Sequence, residues 1–198
     1  MDADENRIEA FLAAKEFTCR RFPKTELRAG KTPDFRVYAE GEFRFFCEAK
    51  TIDRDYSLIE IVRQAPAGTV VGHARKDPIF NRLTDDIHKA AKQFDAVNPE
   101  EKYPNVLVLV NHDSKCRFND LLQVLTGCFF AEGGRAYPIS RKFSEGRIKD
   151  EKGRIHLFIW LDDFKPDQWL FSQTNERHHM NLCSWFGINP DSIRKIGS

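Results

Sequence analysis

Residues 106–110 read Val-Leu-Val-Leu-Val, framed by Pro104-Asn105 on one side and Asn111-His112-Asp113 on the other. A short, nearly unbroken apolar run of this kind is a strand covered on both faces, so it belongs in the middle of a sheet. A sheet buried front and back needs a layer on each side. That requirement predicts an α/β domain with helices on both faces of its sheet.

The rest of the chain is read against that sheet. Residues 4–20 have helical spacing, with Asp4 placed to cap and Ile8, Phe11, Leu12 and Lys15 on one stripe. A β-prone piece near 25–29 follows Pro23. From Asp34 the period becomes two: Phe35, Val37 and Ala39 point one way, Asp34, Arg36 and Tyr38 the other. Glu40-Gly41-Glu42 is the expected turn, and beyond it Phe43, Phe45, Cys47 and Ala49 alternate with Arg44, Phe46, Glu48 and Lys50. Residues 53–77 read as a long excursion with a short helix near 58–62. Asp77-Pro78 predicts the start of a helix to about Val97, with Leu83, Ile87, Ala90, Ala91 and Phe94 inward. A helix near 118–130, a basic loop over 132–154, a buried strand at 155–161 and a C-terminal cover of short helices and turns complete the reading. The chain of 198 residues is expected to form one domain, with a core over about 4–111 and an elaboration over 112–198.

Composition narrows the class. A hydrophobic share of 41% with 31% charged residues suits a folded globular protein, and the 17 Phe imply a well-filled core. The acidic start lacks the features of a secretory signal and no apolar run approaches a bilayer span, so a cytoplasmic protein without membrane contact is expected. Five scattered cysteines fit reduced thiols better than a disulfide framework. Zinc would have to draw on Cys116, Cys128, His178, His179 and Cys183, which lack the paired spacing of such sites. The net charge is +1, so nucleic-acid binding would need a local patch. Two stretches offer one: Arg20, Arg21, Lys24, Arg28 and Lys31, and Arg141, Lys142, Arg147, Lys149, Lys152 and Arg154.

The hairpin carries the chemistry. Strand parity puts Glu48 and Lys50 on one face, and a three-residue turn at 40–42 sets Asp34 opposite Glu48, within roughly 5 Å at Cβ. Two converging carboxylates repel unless a cation joins them. Mg²⁺ takes oxygen ligands, is content with one or two protein carboxylates, and completes its shell with water and substrate phosphate. A lysine beside it can stabilise charge on a phosphodiester in its transition state and orient the attacking water. The bland alternative is a cross-strand ion pair on a solvated face, worth ~0.2–1 kcal/mol.

Pro33-Asp34, thirteen residues, then Glu48-Ala49-Lys50 resembles the PD-(D/E)xK nuclease superfamily. The order of elements over roughly the first 110 residues is similar to that family's restriction-endonuclease-like core, which implies a three-layer α/β core with a mixed central sheet flanked by helices. The resemblance implies Asp34 and Glu48 as metal ligands, the Ala49 carbonyl as a third, Lys50 as the catalytic lysine, and Mg²⁺ or Mn²⁺ as cofactor. It also implies a possible first-helix acid, Glu9 or Glu5, and a Gln or Lys on the following helix, Gln93 or Lys89. The expected activity is hydrolysis of phosphodiester bonds, with DNA as partner; cutting both strands of a duplex would favour a homodimer. Lys31, Arg36, Lys89, Gln93, Arg141 and Lys142 are the expected nucleic-acid contacts. The rival reading is a silent nuclease-fold module that binds nucleic acid or a protein partner.

Other groups carry less. His112-Asp113 ends a buried strand and reads as a turn, His178-His179 as surface or cap, Asp162-Asp163 as a strand end meeting solvent, and Cys128 as inert core. Glu132-Gly133-Gly134-Arg135 lacks the spacing of a phosphate-binding loop.

Overall fold

The computed structural model describes residues 3–23, 25–26, 32–72, 78–131, 135–139, 147–172 and 174–193. In chain order the elements are α1 (Ala3–Ala13), β1 (Thr18–Arg21), β2 (Phe35–Ala39), β3 (Glu42–Ile52), α2 (Ser57–Gln64), α3 (Ile79–Val97) and β4 (Asn105–Asn111). They continue as α4 (Phe118–Thr126), β5 (Cys128–Phe130), β6 (Ala136–Pro138), β7 (Leu157–Asp162), β8 (Gln168–Phe171) and α5 (His179–Phe186). No helix among the described residues is long and apolar enough to cross a membrane.

Six strands form one mixed sheet in the order β1-β2-β3-β4-β7-β8. β3, β4 and β7 run parallel, while β1 and β2 on one flank and β8 on the other are antiparallel to their neighbours. β4 lies at the centre and is buried at every position, as its apolar run requires. Its residues alternate between two cores. Leu107 and Leu109 join Phe46, Phe158 and Trp160 under α3 and α4. Val106, Val108 and Val110 join Phe35, Phe45 and Ile159 under α1 and α5. The fold is therefore a three-layer α/β sandwich. At about 1.5–3 kcal/mol for each fully buried aliphatic or Phe side chain, these two faces outweigh anything helix caps contribute; indeed α2 and α3 start without a side-chain cap.

Several expectations shift. Helix α1 stops at Ala13, and β1 lies at 18–21; of the β-prone piece expected near 25–29, residues 25–26 form a turn and 27–29 lie outside the described residues. Asp4 is no cap: it sits inside the first turn, buried, accepting from Thr51 Oγ1 and facing His112 Nε2 at 2.9 Å. Lys15 follows the helix and lies over the Trp169 ring instead of in the core. α3 begins at Ile79 with Pro78 in the cap position, and Asp77 lies outside the described residues. The helix expected to 130 ends at Gly127, whose φ of 71° allows a left-handed cap, and Cys128 opens β5, half-buried. The basic loop contains β6, and the expected C-terminal cover contains the edge strand β8.

The hairpin between β2 and β3 turns on two residues, Glu40 (φ 53°) and Gly41 (φ 80°), not three. Left-handed backbone at both positions matches the twist of the flanking strands, and Gly41 takes it at little steric cost. Tyr38 pairs with Phe43, but Val37 pairs with Phe45, so Arg44 is the extra residue of a β-bulge. The bulge sends Phe43 to the α3 side, where its ring lies 4.8 Å from Phe46, and turns Arg44 over Trp185 on the other. Phe43 and Arg44 thus face opposite to the simple alternation.

Candidate active site

Asp34 precedes β2 by one residue, and continuing the Phe35-to-Cys47 pairing by one step sets it against Glu48. The shorter turn and the bulge cancel, which leaves the expected alignment in place. The backbone confirms the alignment: the Asp34 amide donates to Glu48 Oε2 at 3.1 Å, and the Ala49 amide donates to Asp34 Oδ2 at 2.8 Å. At Ala49 the recorded contact is thus the amide, with the carbonyl lying between Glu48 and Lys50 along β3.

Parity turns Glu48 and Lys50 toward α3 together with Phe46. Lys50 Nζ contacts Glu48 Oε1 and also donates to Gln93 Oε1 at 3.1 Å; Gln93 Nε2 donates on to the Thr32 carbonyl at 3.0 Å. Gln93 therefore fastens the loop before Asp34 to the lysine. Asp34, Glu48, Lys50 and Gln93 come together from three separated segments, as expected.

Both acids of the site are raised by burial. Glu48 is 1% exposed, and burial, reinforced by the charge of Asp34, lifts its carboxyl to about 8 against the pull of Lys50. Burial also raises Asp34, with Glu5 adding to the rise while the Ala49 amide and Lys50 oppose it. Removing carboxylates from water costs several kcal/mol each unless partners compensate; among the described residues Lys50 is the cation in contact with Glu48, and the charge of Arg21 also reaches Asp34. Two carboxylates suit Mg²⁺ or Mn²⁺, which keep waters and phosphate in their shell. Among the described residues no group of three or more His, Cys, Asp or Glu is gathered to hold a metal.

The other expected residues fall out differently. Glu9 is 4.0 Å from Arg21 and acts on Cys19; Glu5, which pairs with Arg21, is the α1 acid whose charge reaches Asp34. Arg36 stands two residues along β2 but is held by Glu26 and stacks on Phe22 at 4.2 Å. Lys89 is exposed on α3. Lys31, Arg141 and Lys142 lie outside the described residues. Asp86 was missed: it is buried on α3, and the charge of Lys50 reaches it. The signal was present in the spacing, since Asp86 lies seven residues before Gln93 on the same helical stripe.

Beyond the site, His112 ties strand to helix through Asp163 at 2.6 Å and Asp4 at 2.9 Å, so it has a structural role rather than a turn's local bond. Of the two expected placements His178 takes the cap: it sits at the N-cap position of α5, buried, with its ring contacting the Glu101 carbonyl at 2.9 Å. Asp162 accepts from Trp160 Nε1 at 2.9 Å and Asp163 pairs with Arg7 at the C-terminal end of β7, two strands across the sheet from Lys50. A cavity of about 340 Å³ past the C-terminal ends of β4 and β7 is lined by Arg117, Asp162 and Lys165. Comparison with protein-family models, with curated proteins and with solved structures finds no match to this chain.

Proposed function

We propose that the protein is a metal-dependent phosphodiesterase, a nuclease of the PD-(D/E)xK type acting on DNA. The observation that carries this reading is the convergence of Asp34, Glu48 and Lys50 on adjacent strands, with both carboxyls raised by burial. Asp34 and Glu48 would hold Mg²⁺ or Mn²⁺, with the Ala49 carbonyl in reach along the strand. Such an ion supplies charge neutralisation at the phosphate and a more acidic water. Lys50 presents its ammonium to the phosphate and orients the attacking water, and Gln93 keeps the lysine extended across the site.

The test is direct. Supercoiled plasmid DNA and a labelled single-stranded oligonucleotide are incubated with the protein and Mg²⁺ or Mn²⁺, and Lys50→Ala and Asp34→Ala are run alongside. Each substitution is expected to lower cleavage by roughly 10²–10³-fold, the scale of losing one transition-state stabilising group. Folding, followed by circular dichroism, is expected to be retained. Cleavage by both variants at the wild-type rate would refute the assignment.

A second reading has its own support. Lys50 is already engaged by Glu48 and Gln93, as in a structural ion pair of a silent nucleic-acid- or protein-binding module. The two readings differ in metal response: a competent site raises the melting temperature on addition of Mn²⁺, because only the folded chain assembles both ligands. No shift and no cleavage would favour the silent module.

A further inference from the structure

Asp86 is the buried acid that the site's hydrogen bonds leave unused. It is 9% exposed, and its Oδ2 is sealed from solvent without a hydrogen-bond partner among the described residues. Two contacts of α3 fix where it faces. Gln93, two turns further on, touches Lys50 Nζ at 3.1 Å, and Arg82, one turn earlier, donates to the Thr51 carbonyl at 3.0 Å. Asp86 lies on the stripe between them, against the stretch of β3 that carries Lys50 and Thr51. Lys50 is the foremost of the cations whose charge reaches it, ahead of Arg82 and Lys89, with Asp85 opposing.

An unpartnered buried carboxylate oxygen is costly and needs an explanation. The neighbouring lysine supplies one. Lys50 Nζ now rests on Glu48 Oε1, and that oxygen cannot serve an ammonium and a divalent cation equally well. A lysine displaced from Glu48 inside a half-buried site must find another acceptor, and its four-carbon stem gives it the freedom to swing. Resting on the nuclease reading given above, we propose that Asp86 is a positioning residue that takes Lys50 over from Glu48 when Glu48 turns to a divalent cation. Gln93 holds Lys50 throughout, so the ammonium pivots between the two acids and stays beside the phosphate. Asp86 touches neither metal nor substrate and acts only through the lysine.

The near-isosteric Asp86→Asn variant tests this with three readouts, with Asp85→Asn, an exposed acid on the same helix, as the control. Without metal, Asp86→Asn is expected to melt about 2–4 °C higher than wild type, because an uncompensated buried acid is replaced by a neutral amide. Its Mn²⁺-induced rise in melting temperature is expected to shrink to half or less, because Lys50 no longer has an acceptor to leave Glu48 for. Turnover on plasmid DNA is expected to fall at least tenfold with KM within twofold. Asp85→Asn is expected to change none of the three by more than twofold. A metal-free Asp86→Asn that is no more stable than wild type marks a structural contact and overturns the proposal, as does an undiminished Mn²⁺ response or wild-type turnover. A wild-type protein that neither responds to Mn²⁺ nor cleaves sinks the nuclease reading and this inference with it, whereas one that does both while Asp86→Asn matches it sinks the inference alone.

Discussion

Two histidines give the protein opposite responses to pH. His156 is fully buried; its Nδ1 accepts from the Asn105 amide at 3.0 Å, so its proton belongs on Nε2, 3.3 Å from Glu101. Burial, helped by the charge of His178, pushes it down to about 4. A folded value below the unfolded one means that stability is full above the ordinary histidine range, near 6.5, and is lost as pH falls from there toward 4. The loss is on the order of 3 kcal/mol. His112 runs the other way: its bonds to Asp163 and then Asp4 raise it, so its contribution is full below the ordinary range and fades as pH rises through the elevated value. Urea unfolding at pH 5, 6.5 and 8 separates them. His156→Gln keeps an acceptor for the Asn105 amide but cannot gain a proton, and is expected to flatten the acid limb. His112→Gln is expected to flatten the alkaline limb only. An acid limb unchanged in His156→Gln would show that other groups govern it.

At the level of elements, two glutamates occupy backbone that favours glycine or asparagine. α1 closes in a Schellman motif: Phe17 N–H reaches the Leu12 carbonyl at 3.1 Å, Glu16 N–H reaches Ala13 at 3.0 Å, and Glu16 has φ 66°. Phe17 and Leu12 then meet in the α1-side core. Glu40 holds the first position of the β2-β3 turn at φ 53°. A side chain in that region costs about 1–2 kcal/mol, so Glu16→Gly and Glu40→Asn are each expected to stabilise the fold by about 0.5–1 kcal/mol in thermal or urea unfolding. The faint ion pair of Glu40 with Arg44, with Glu40 89% exposed, subtracts little. The same two residues explain where the sequence misleads. With Glu in place of Gly at position 16, nothing marks the end of α1, and the apolar Phe17 and Cys19 carry the helical pattern on to 20. The two-residue turn is likewise hidden because Glu40 does not look like a turn former. What remained legible was period: the alternation through β2 and β3 fixed the alignment of Asp34, Glu48 and Lys50, since the bulge at Arg44 restored the residue that the turn removed. β8 left no trace because Trp169 and Leu170 pack on opposite faces, which erases the period of two.

The whole molecule is organised by one strand serving two cores. Neighbours on β4 enter different layers, Leu107 under α3 and α4 and Val108 under α1 and α5, so neither layer can lose its packing without disturbing the sheet they share. The site sits on that sheet, reached by α3 through Gln93 and Asp86 and by α1 through the charge of Glu5, so its geometry depends on both layers holding at once. Unfolding should accordingly be a single transition. The chain's three tryptophans report on both sides: Trp160 is buried in the α3-side core, while Trp169 and Trp185 pack against the α1-side core. A Trp160→Phe variant and a Trp169→Phe/Trp185→Phe variant, each followed by fluorescence in urea, are expected to give coincident curves with the same m-value. Leu107→Ala is expected to cost about 2–5 kcal/mol and Val108→Ala about 1.5–3 kcal/mol, each shifting both probes together. If Leu107→Ala moves the Trp160 signal while the Trp169 and Trp185 signal stays put, the two layers unfold separately, and the shared strand is not what couples them.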